Sequence, residues 1–402
     1  MSIHVPVDPT GLVPLAYWKQ GAEFPPKIEG VGERYEQFKT YTDLARGKFD
    51  AILPDWLGSQ NVPVQDNYFH TVSDMRTSFL MMNPPEAAID DDLNDELDAA
   101  LYDFIYNANI YGTSLLHVYN DGKPHVLSVN PTNWFPAEDG DALVFELRDR
   151  YEVHLLTADG NRRIIFERND EGDFRLGRVI ESTDYSTLPG RPLFPCGIRP
   201  KWGEWGKSLI PTIAPQNIEL VKINTRISDI HDMSSEPILL IQNDTVEDAR
   251  SLENLPTSGD NTRGTRNERE VAFFQHQRKT GYFLGVKGTV TAIPTLAETE
   301  DMREQAKALR NAIYVATATP VNFLGAQDGM ASAAVSGESI RRASAYAEAT
   351  FRSLQREIER CVNKALQLAT GQSELKITWK NPFEEMDVQR ESDTIRDDGE
   401  EG

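Results

Sequence analysis

The apolar positions of this chain change period several times, and each change marks a boundary. From 32 to 46, Tyr35, Phe38, Tyr41 and Leu44 recur at threes, which predicts an amphipathic helix. A second helix is expected over 67–81, ending before Pro84 and Pro85. A third is expected over 93–110, where Leu97, Ala100, Leu101, Phe104, Ile105 and Ala108 share one helical face. The acids Asp90, Asp91 and Asp92 open it, and acids at a helix start complement the macrodipole. Ahead of these helices, residues 1–31 are rich in Pro and Gly and read as an extended N-terminal arm.

From 113 to about 182 the period becomes strand-like. Leu143–Leu147, Tyr151–Leu156, Arg163–Glu167 and Phe174–Ile180 are short β-rich runs, separated by the hairpin signals Asp159-Gly160-Asn161 and Glu171-Gly172-Asp173. They predict one antiparallel meander, left through a Pro-rich connector, Pro189 to Pro200. Helical spacing returns over 212–235, with Ile213, Ile218, Leu220, Val221, Ile227, Ile230 and Met233 as apolar positions and Pro237 as the stop. Between 238 and 293, Pro256, Gly259, Gly264, Gly281, Gly285 and Gly288 punctuate short strands such as Val271–Phe274 and Tyr282–Val286. This stretch reads as a small β-rich insertion between two helices.

The next helix is expected over 297–318, with Glu298, Glu300 and Asp301 at its start and Pro320 at its end. Gly325 to Val335 has no periodicity and the composition of a flexible loop. The longest helix follows, from Ser336 to Ala369, on Ile340, Ala343, Ala347, Phe351, Leu354, Ile358, Cys361, Ala365 and Leu368. At 1.5 Å per residue it would span roughly 50 Å. Gly371 stops it, Leu375–Trp379 reads as a strand, and the acidic tail reads as solvated. The fold class is therefore α+β, with room in 402 residues for two or three cores.

Charge narrows the function. The chain carries 63 acidic and 41 basic residues, a formal net charge of −22. Such a surface repels nucleic acid on average, and a tight static DNA binder shows the opposite balance. Contact with nucleic acid would then rest on local basic stripes, or be kept weak. Cys196 and Cys361 lie far apart in unrelated contexts and read as structural thiols of a reducing compartment. The start at Met1 lacks a basic region followed by an apolar core, and no apolar run approaches the roughly 18 residues of a membrane span. The expectation is a soluble protein made in the cytoplasm, with no membrane partner.

Catalytic patterns fail on inspection. Gly203-Glu204-Trp205-Gly206-Lys207-Ser208 approaches a phosphate-binding loop, but the required first glycine falls at Lys201 and Pro211 follows too soon. Asp90–Asp92 offers hard oxygen ligands for Mg²⁺, yet three consecutive acids on a helix point in different directions. The histidines, among them His117, His125, His154 and His231, form no pair at ligand spacing, and His117 and His154 read as sheet residues. No G-x-S-x-G elbow is present. The residues support neither an enzyme nor a cofactor or metal site. On the long helix Arg352, Arg356, Arg360 and Lys364 recur at i, i+4 and read as a solvated face or as intersubunit salt bridges helped by nearby Glu348, Glu357 and Glu359, in preference to a DNA contact. Lys222 and Arg226, and Arg303, Lys307 and Arg310, repeat this spacing on the helices flanking the insertion.

The order helix, β-rich insertion, helix, flexible loop, long helix resembles tailed-bacteriophage portal proteins, the head-to-tail connectors. Local sequences carry the same resemblance. Asn109-Ile110-Tyr111-Gly112-Thr113-Ser114-Leu115-Leu116 looks like their helix-to-strand turn, followed by Val129-Asn130-Pro131 and the Asp139-Gly140-Asp141 turn. Ser336-Gly337-Glu338-Ser339-Ile340 resembles the start of their long wing helix, and Ile377-Thr378-Trp379-Lys380-Asn381-Pro382 the strand after it. The likeness spans roughly 35–385. It implies a portal-like fold: a wing at 32–211 and 336–383, stem helices at 212–237 and 296–320, and a clip at 238–295. It further implies a tunnel loop at 321–335, with Gly325, Ala326, Gln327, Asp328, Gly329, Met330, Ala331 and Ser332 nearest DNA, and Lys222, Arg226, Arg303, Lys307 and Arg310 as channel-lining candidates. Only the acidic tail 384–402 stands where many relatives carry a helical crown.

By the same resemblance the chain is a virion component assembled in the host cytoplasm, forming a closed ring of about twelve copies at one capsid vertex. Its partners would be double-stranded DNA in weak passage, the terminase motor, a head-tail adaptor, the major capsid protein and a scaffold protein. Its work would be genome packaging and ejection. Two other classes compete: another phage structural protein (head-tail adaptor or minor capsid component), and a metal-dependent hydrolase or nuclease acting through Asp90–Asp92.

Overall fold

The computed structural model describes residues 12–49, 66–120, 122–168, 175–185, 193–197, 206–235, 238–243, 288–293, 299–319 and 337–379. It divides into two units: Met1–Lys222 with Ala306–Gly402, and Ile223–Gln305. Both unit boundaries fall inside helices, so the second unit is an insertion into the first.

Three helices open the first unit: α1 (Val31–Ala45), α2 (Tyr68–Leu80) and α3 (Asp91–Tyr111). All match the expected periods within a residue or two. Asn67 caps α2, its side chain accepting from the His70 amide at 3.1 Å. Asp91 and Asp92 occupy the first turn of α3. The apolar face of α3 packs on the hairpin β1 (Thr113–Asn120) and β2 (Pro124–Val129) through Leu116, Val118 and Val126. The long C-terminal helix of the chain, Gly337–Thr370, closes the same core with Phe351, Leu354, Ile358, Cys361, Val362, Ala365 and Leu366. Arg352, Arg356, Arg360 and Lys364 are exposed on it, and two of them pair along the helix, Arg352 with Glu348 at 2.6 Å and Arg360 with Glu357 at 3.2 Å.

The strand region differs from one continuous meander. The strands β3 (Trp134–Pro136), β4 (Gly140–Glu146), β5 (Arg150–Thr157), β6 (Asn161–Arg168) and β7 (Leu176–Tyr185) form a five-stranded antiparallel sheet in sequence order. A separate sheet has the order β2-β1-β8, where β8 (Leu193–Gly197) lies within the predicted connector and pairs with β1 from Thr113↔Gly197 to His117↔Leu193. The sequence obscured it because prolines punctuate a strand that has a neighbour on one side only.

Two terminal segments also depart from expectation. In the N-terminal arm, a single 3-10 turn at Leu15–Tyr17 presents Trp18, which packs edge-on to Phe135 at 5.0 Å, and Phe24, which packs against Tyr151 at 5.4 Å. The described part of the arm is thus a wall of the sheet core, not a free extension, because burying two aromatics outweighs the weak local order of a Pro/Gly segment. Leu375–Trp379 makes one β-bridge, Glu86↔Thr378, instead of a strand. Tertiary contacts hold it: Leu375, Ile377 and Trp379 are buried against α2, α3 and the long helix. Phe174, Glu171-Gly172-Asp173 and the tail 384–402 lie outside the described residues.

Gly112 links these parts. It ends α3 in the left-handed region at φ 78°, and a Cβ there would lie 2.5 Å from the Gly206 carbonyl oxygen. Gly112→Ala combines backbone strain with a clash against backbone that has no side chain to swing away. It should destabilise the first unit by more than the ~1 kcal/mol of the left-handed conformation alone. Denaturant unfolding measures this, and a loss within 0.5 kcal/mol (about the scatter of neutral surface changes) would contradict it.

On β5 and β6, Glu152 receives Arg163 at 2.5 Å and His154 at 2.9 Å. Burial pushes the Glu152 carboxyl up, but Arg163 and His154 outweigh it and hold it below the ordinary range. Burial likewise drives His154 down, against its bond to Glu152. Both groups bind protons less readily folded than unfolded, so both stabilise at neutral pH and lose that contribution on acidification. Stability should fall first below the ordinary histidine range and again through the carboxylate range. In His154→Gln the first step, read from melting curves between pH 7 and 5, should flatten; an unchanged slope would refute the assignment.

Candidate functional site

The second unit begins and ends in two helices, α4 (Ile210–Ser235) and α5 (Thr299–Ala316). Between them the described residues form one antiparallel pair, β9 (Ile238–Asn243) and β10 (Gly288–Ile293), in register from Ile238↔Ile293 to Asn243↔Gly288. A small β-rich insertion between two helices was expected here. The predicted strands Val271–Phe274 and Tyr282–Val286 fall outside the described residues, as does the whole 320–336 segment with the loop candidates Gly325 to Ser332.

The start of α4 explains the phosphate-loop look-alike. The Ser208 hydroxyl donates to the Ile110 carbonyl and accepts from the Ile210 amide at 3.0 Å. The Gly206 amide donates to Thr113 Oγ1 at 2.8 Å. Gly206 and Ser208 therefore seat α4 on the end of α3, and their polar groups are spent within the fold. Lys207 between them is exposed. At the other abandoned motif, Asp92 pairs with Lys123 at 3.1 Å, both exposed. Among the described residues no three His, Cys, Asp or Glu side chains group as a metal site, and no helix is long and apolar enough to cross a membrane.

The five basic candidates occupy unequal positions. Lys222 is half-buried and paired with Glu219 at 3.1 Å, while Arg226, one turn on, is exposed. Arg303 and Lys307 are exposed on α5. Arg310, on the same stripe, is half-buried and hydrogen-bonds Tyr68 at the start of α2. Burial pushes the Tyr68 phenol up to about 12, with the nearby Tyr314 ring adding to the rise and Arg310 opposing it.

Sequence reasoning missed the joint at the end of α5. Arg76 of α2 is 3% exposed. Its Nε donates to Asn109 Oδ1 of α3 at 3.1 Å, its Nη1 donates to the Thr317 carbonyl, and its guanidinium lies 4.8 Å from the ring centre of Phe351. Phe351 belongs to the long C-terminal helix, α6 (Gly337–Thr370). A signal was present: Arg76 interrupts the apolar stripe Val72, Phe79, Leu80, and a cation on an apolar face must find partners there. Arg34 breaks the stripe of α1 in the same way, donating to the Trp134 carbonyl at 3.3 Å with its guanidinium 5.9 Å from the Phe135 ring centre.

No family model matches the chain, and no curated protein matches it. Solved structures are similar to it over most of its length. A chain in the virion of a native gene transfer agent particle matches with a TM-score of 0.45 and 12% identity, over 89% of this chain and 88% of that one. A chain in the neck of the native particle, computed with C12 symmetry, matches with a TM-score of 0.42 and 15% identity, over 85% and 92%. An HK97-family phage portal protein from Corynebacterium diphtheriae matches with a TM-score of 0.42 and 10% identity, over 81% of this chain and 98% of that one.

Proposed function

We propose that this chain is a portal subunit: one member of a ring at a capsid vertex, through which the genome is packaged and ejected. One observation carries the reading. The first and last parts of the chain build one unit, and Ile223–Gln305 forms a second, which begins within α4, carries the β9–β10 hairpin and ends within α5. That is the order of wing, stem, clip, stem and wing. The clip, 238–295, is the docking site for the terminase motor and the head-tail adaptor, and the segment 321–335 is the tunnel loop.

The charge balance fits a conduit. Every phosphate neutralised by a Lys or Arg releases counterions and adds affinity, which would arrest a moving duplex. A ring of subunits each at −22 presents a repulsive wall. Arg226, Arg303 and Lys307 are exposed on the two helices and would give rings of brief purchase.

The full chain at near-physiological salt should form closed rings with a central hole, about twelve-fold, as head-to-tail contacts that close require. Negative-stain images with light scattering decide it; a strict monomer, or a flat adaptor-like ring lacking a stem, would overturn the reading. Replacing Gly329 and Ala331 to Ala334 by bulky residues or proline should leave assembly intact and impair packaging or DNA retention, since small residues let a loop change shape cheaply. Variants that package and retain full genomes like the parent would make this segment a plain linker.

A further inference from the structure

The end of α5 is an unusual helix terminus. The Thr319 amide bonds to the Tyr314 carbonyl at 2.9 Å and the Ala318 amide to the Val315 carbonyl at 3.1 Å, the paired bonds of a Schellman cap. The left-handed residue such a cap needs is Ala318, at φ 53°, where glycine is usual. Ala318 is 4% exposed and Thr319 6%. The Thr317 side chain bonds back to the Ile313 carbonyl at 2.8 Å and meets the Thr319 hydroxyl at 2.7 Å. One further acceptor at the cap, the Thr317 carbonyl, takes the Nη1 donor of Arg76.

We infer that Arg76 is the positioning residue that fixes the direction in which the chain leaves α5. It is suited to this because its planar fork makes two bonds at set angles. One goes to Asn109, itself held by the Leu209 amide at 3.0 Å, and one to the strained cap. Phe351 beneath the guanidinium is locked edge-on by Phe79 at 5.2 Å. A cation at a helix C-terminus also meets the negative end of the dipole. The left-handed turn at Ala318, disfavoured for alanine, is thereby held by an arginine on another helix instead of by glycine in place. The functional meaning rests on the reading of 321–335 as the tunnel loop: Arg76 would tie residues 317–319, which lead into that segment, to α2, α3 and α6.

Amide hydrogen exchange on the full chain tests the anchor without DNA, comparing the parent with Arg76→Met, Ala318→Gly and the double variant. Methionine keeps an apolar stem beside Phe351 and removes both donors. Amides of residues 317–319 should then exchange between about ten- and a hundredfold faster, the worth of a charge-assisted bond, with α2, α3 and α6 far less affected. Ala318→Gly should restore part of that protection in the double variant, because glycine closes the same cap unaided. Equal acceleration across α2, α3 and α6 would make Arg76 a core prop and overturn the inference, as would unchanged exchange at 317–319 or the absence of rescue. Should Arg76→Met fail to fold, Arg76→Lys, which reaches one acceptor but cannot fork, must show the same local acceleration. The packaging assay on the loop variants reads the tunnel-loop assignment separately, so failure of one is not failure of the other.

Discussion

The apolar face of α6 has to be covered, and among the described residues α2, α3 and the β1–β2 hairpin, all from the first third of the chain, cover it together with the segment Leu375–Trp379. Leu354, Ile358, Val362 and Leu366 pack on α2, α3 and the β1–β2 hairpin, and Trp379 reaches back to donate to the Leu80 carbonyl at 3.3 Å. No local preference supplies this; helix propensity is worth only tenths of a kilocalorie per residue, and helices as long as α6 are held chiefly by the face they bury. The closure gives the first unit, beside its sheet core, a helical core assembled from two distant parts of the sequence. It leaves α4 and α5 as the two places where the chain departs from that core and comes back.

Within the unit, buried arginines do what apolar packing does not. Leucines fill space without direction, whereas a guanidinium aims at carbonyl and amide oxygens and sits on a ring face. Arg34 ties α1 to the five-stranded sheet, and Arg76 ties α2 and α3 to the end of α5. A comparable neutral device is the Tyr111 hydroxyl, which meets Thr42 at 2.8 Å and Asn130 at 3.1 Å and so joins α1, α3 and the turn after β2. These bonds set angles between layers, which apolar packing alone leaves loose.

Much of this was legible beforehand. The periods of α1 to α6 gave the helices within a residue or two, because each buries one stripe and exposes the other. The hairpin-forming Asp159-Gly160-Asn161 gave the β5–β6 turn, since turn chemistry is local. β8 was hidden by Pro195, and the role of Trp18 and Phe24 by the arm's Pro and Gly content; in both, partners distant in sequence decide the outcome. The candidate site was legible as an order of elements and as stripes of basic residues, not as contacts. Spacing placed Lys222 and Arg310 beside their neighbours on a helix but gave no sign that Glu219 would neutralise one and Tyr68 engage the other. Arg76 was visible only as an exception to a pattern.

The two-ended core also bears on how the chain is made. A ribosome releases α3 and the β1–β2 hairpin first, and their covering helix emerges only after the insertion has been translated. At ordinary elongation rates the gap is on the order of ten to forty seconds. For that interval Leu97, Leu101, Phe104 and Val118 present a greasy groove with no lid. Synthesis order thus acts as a timer: the core built around α3 is finished only when the last long helix has been made.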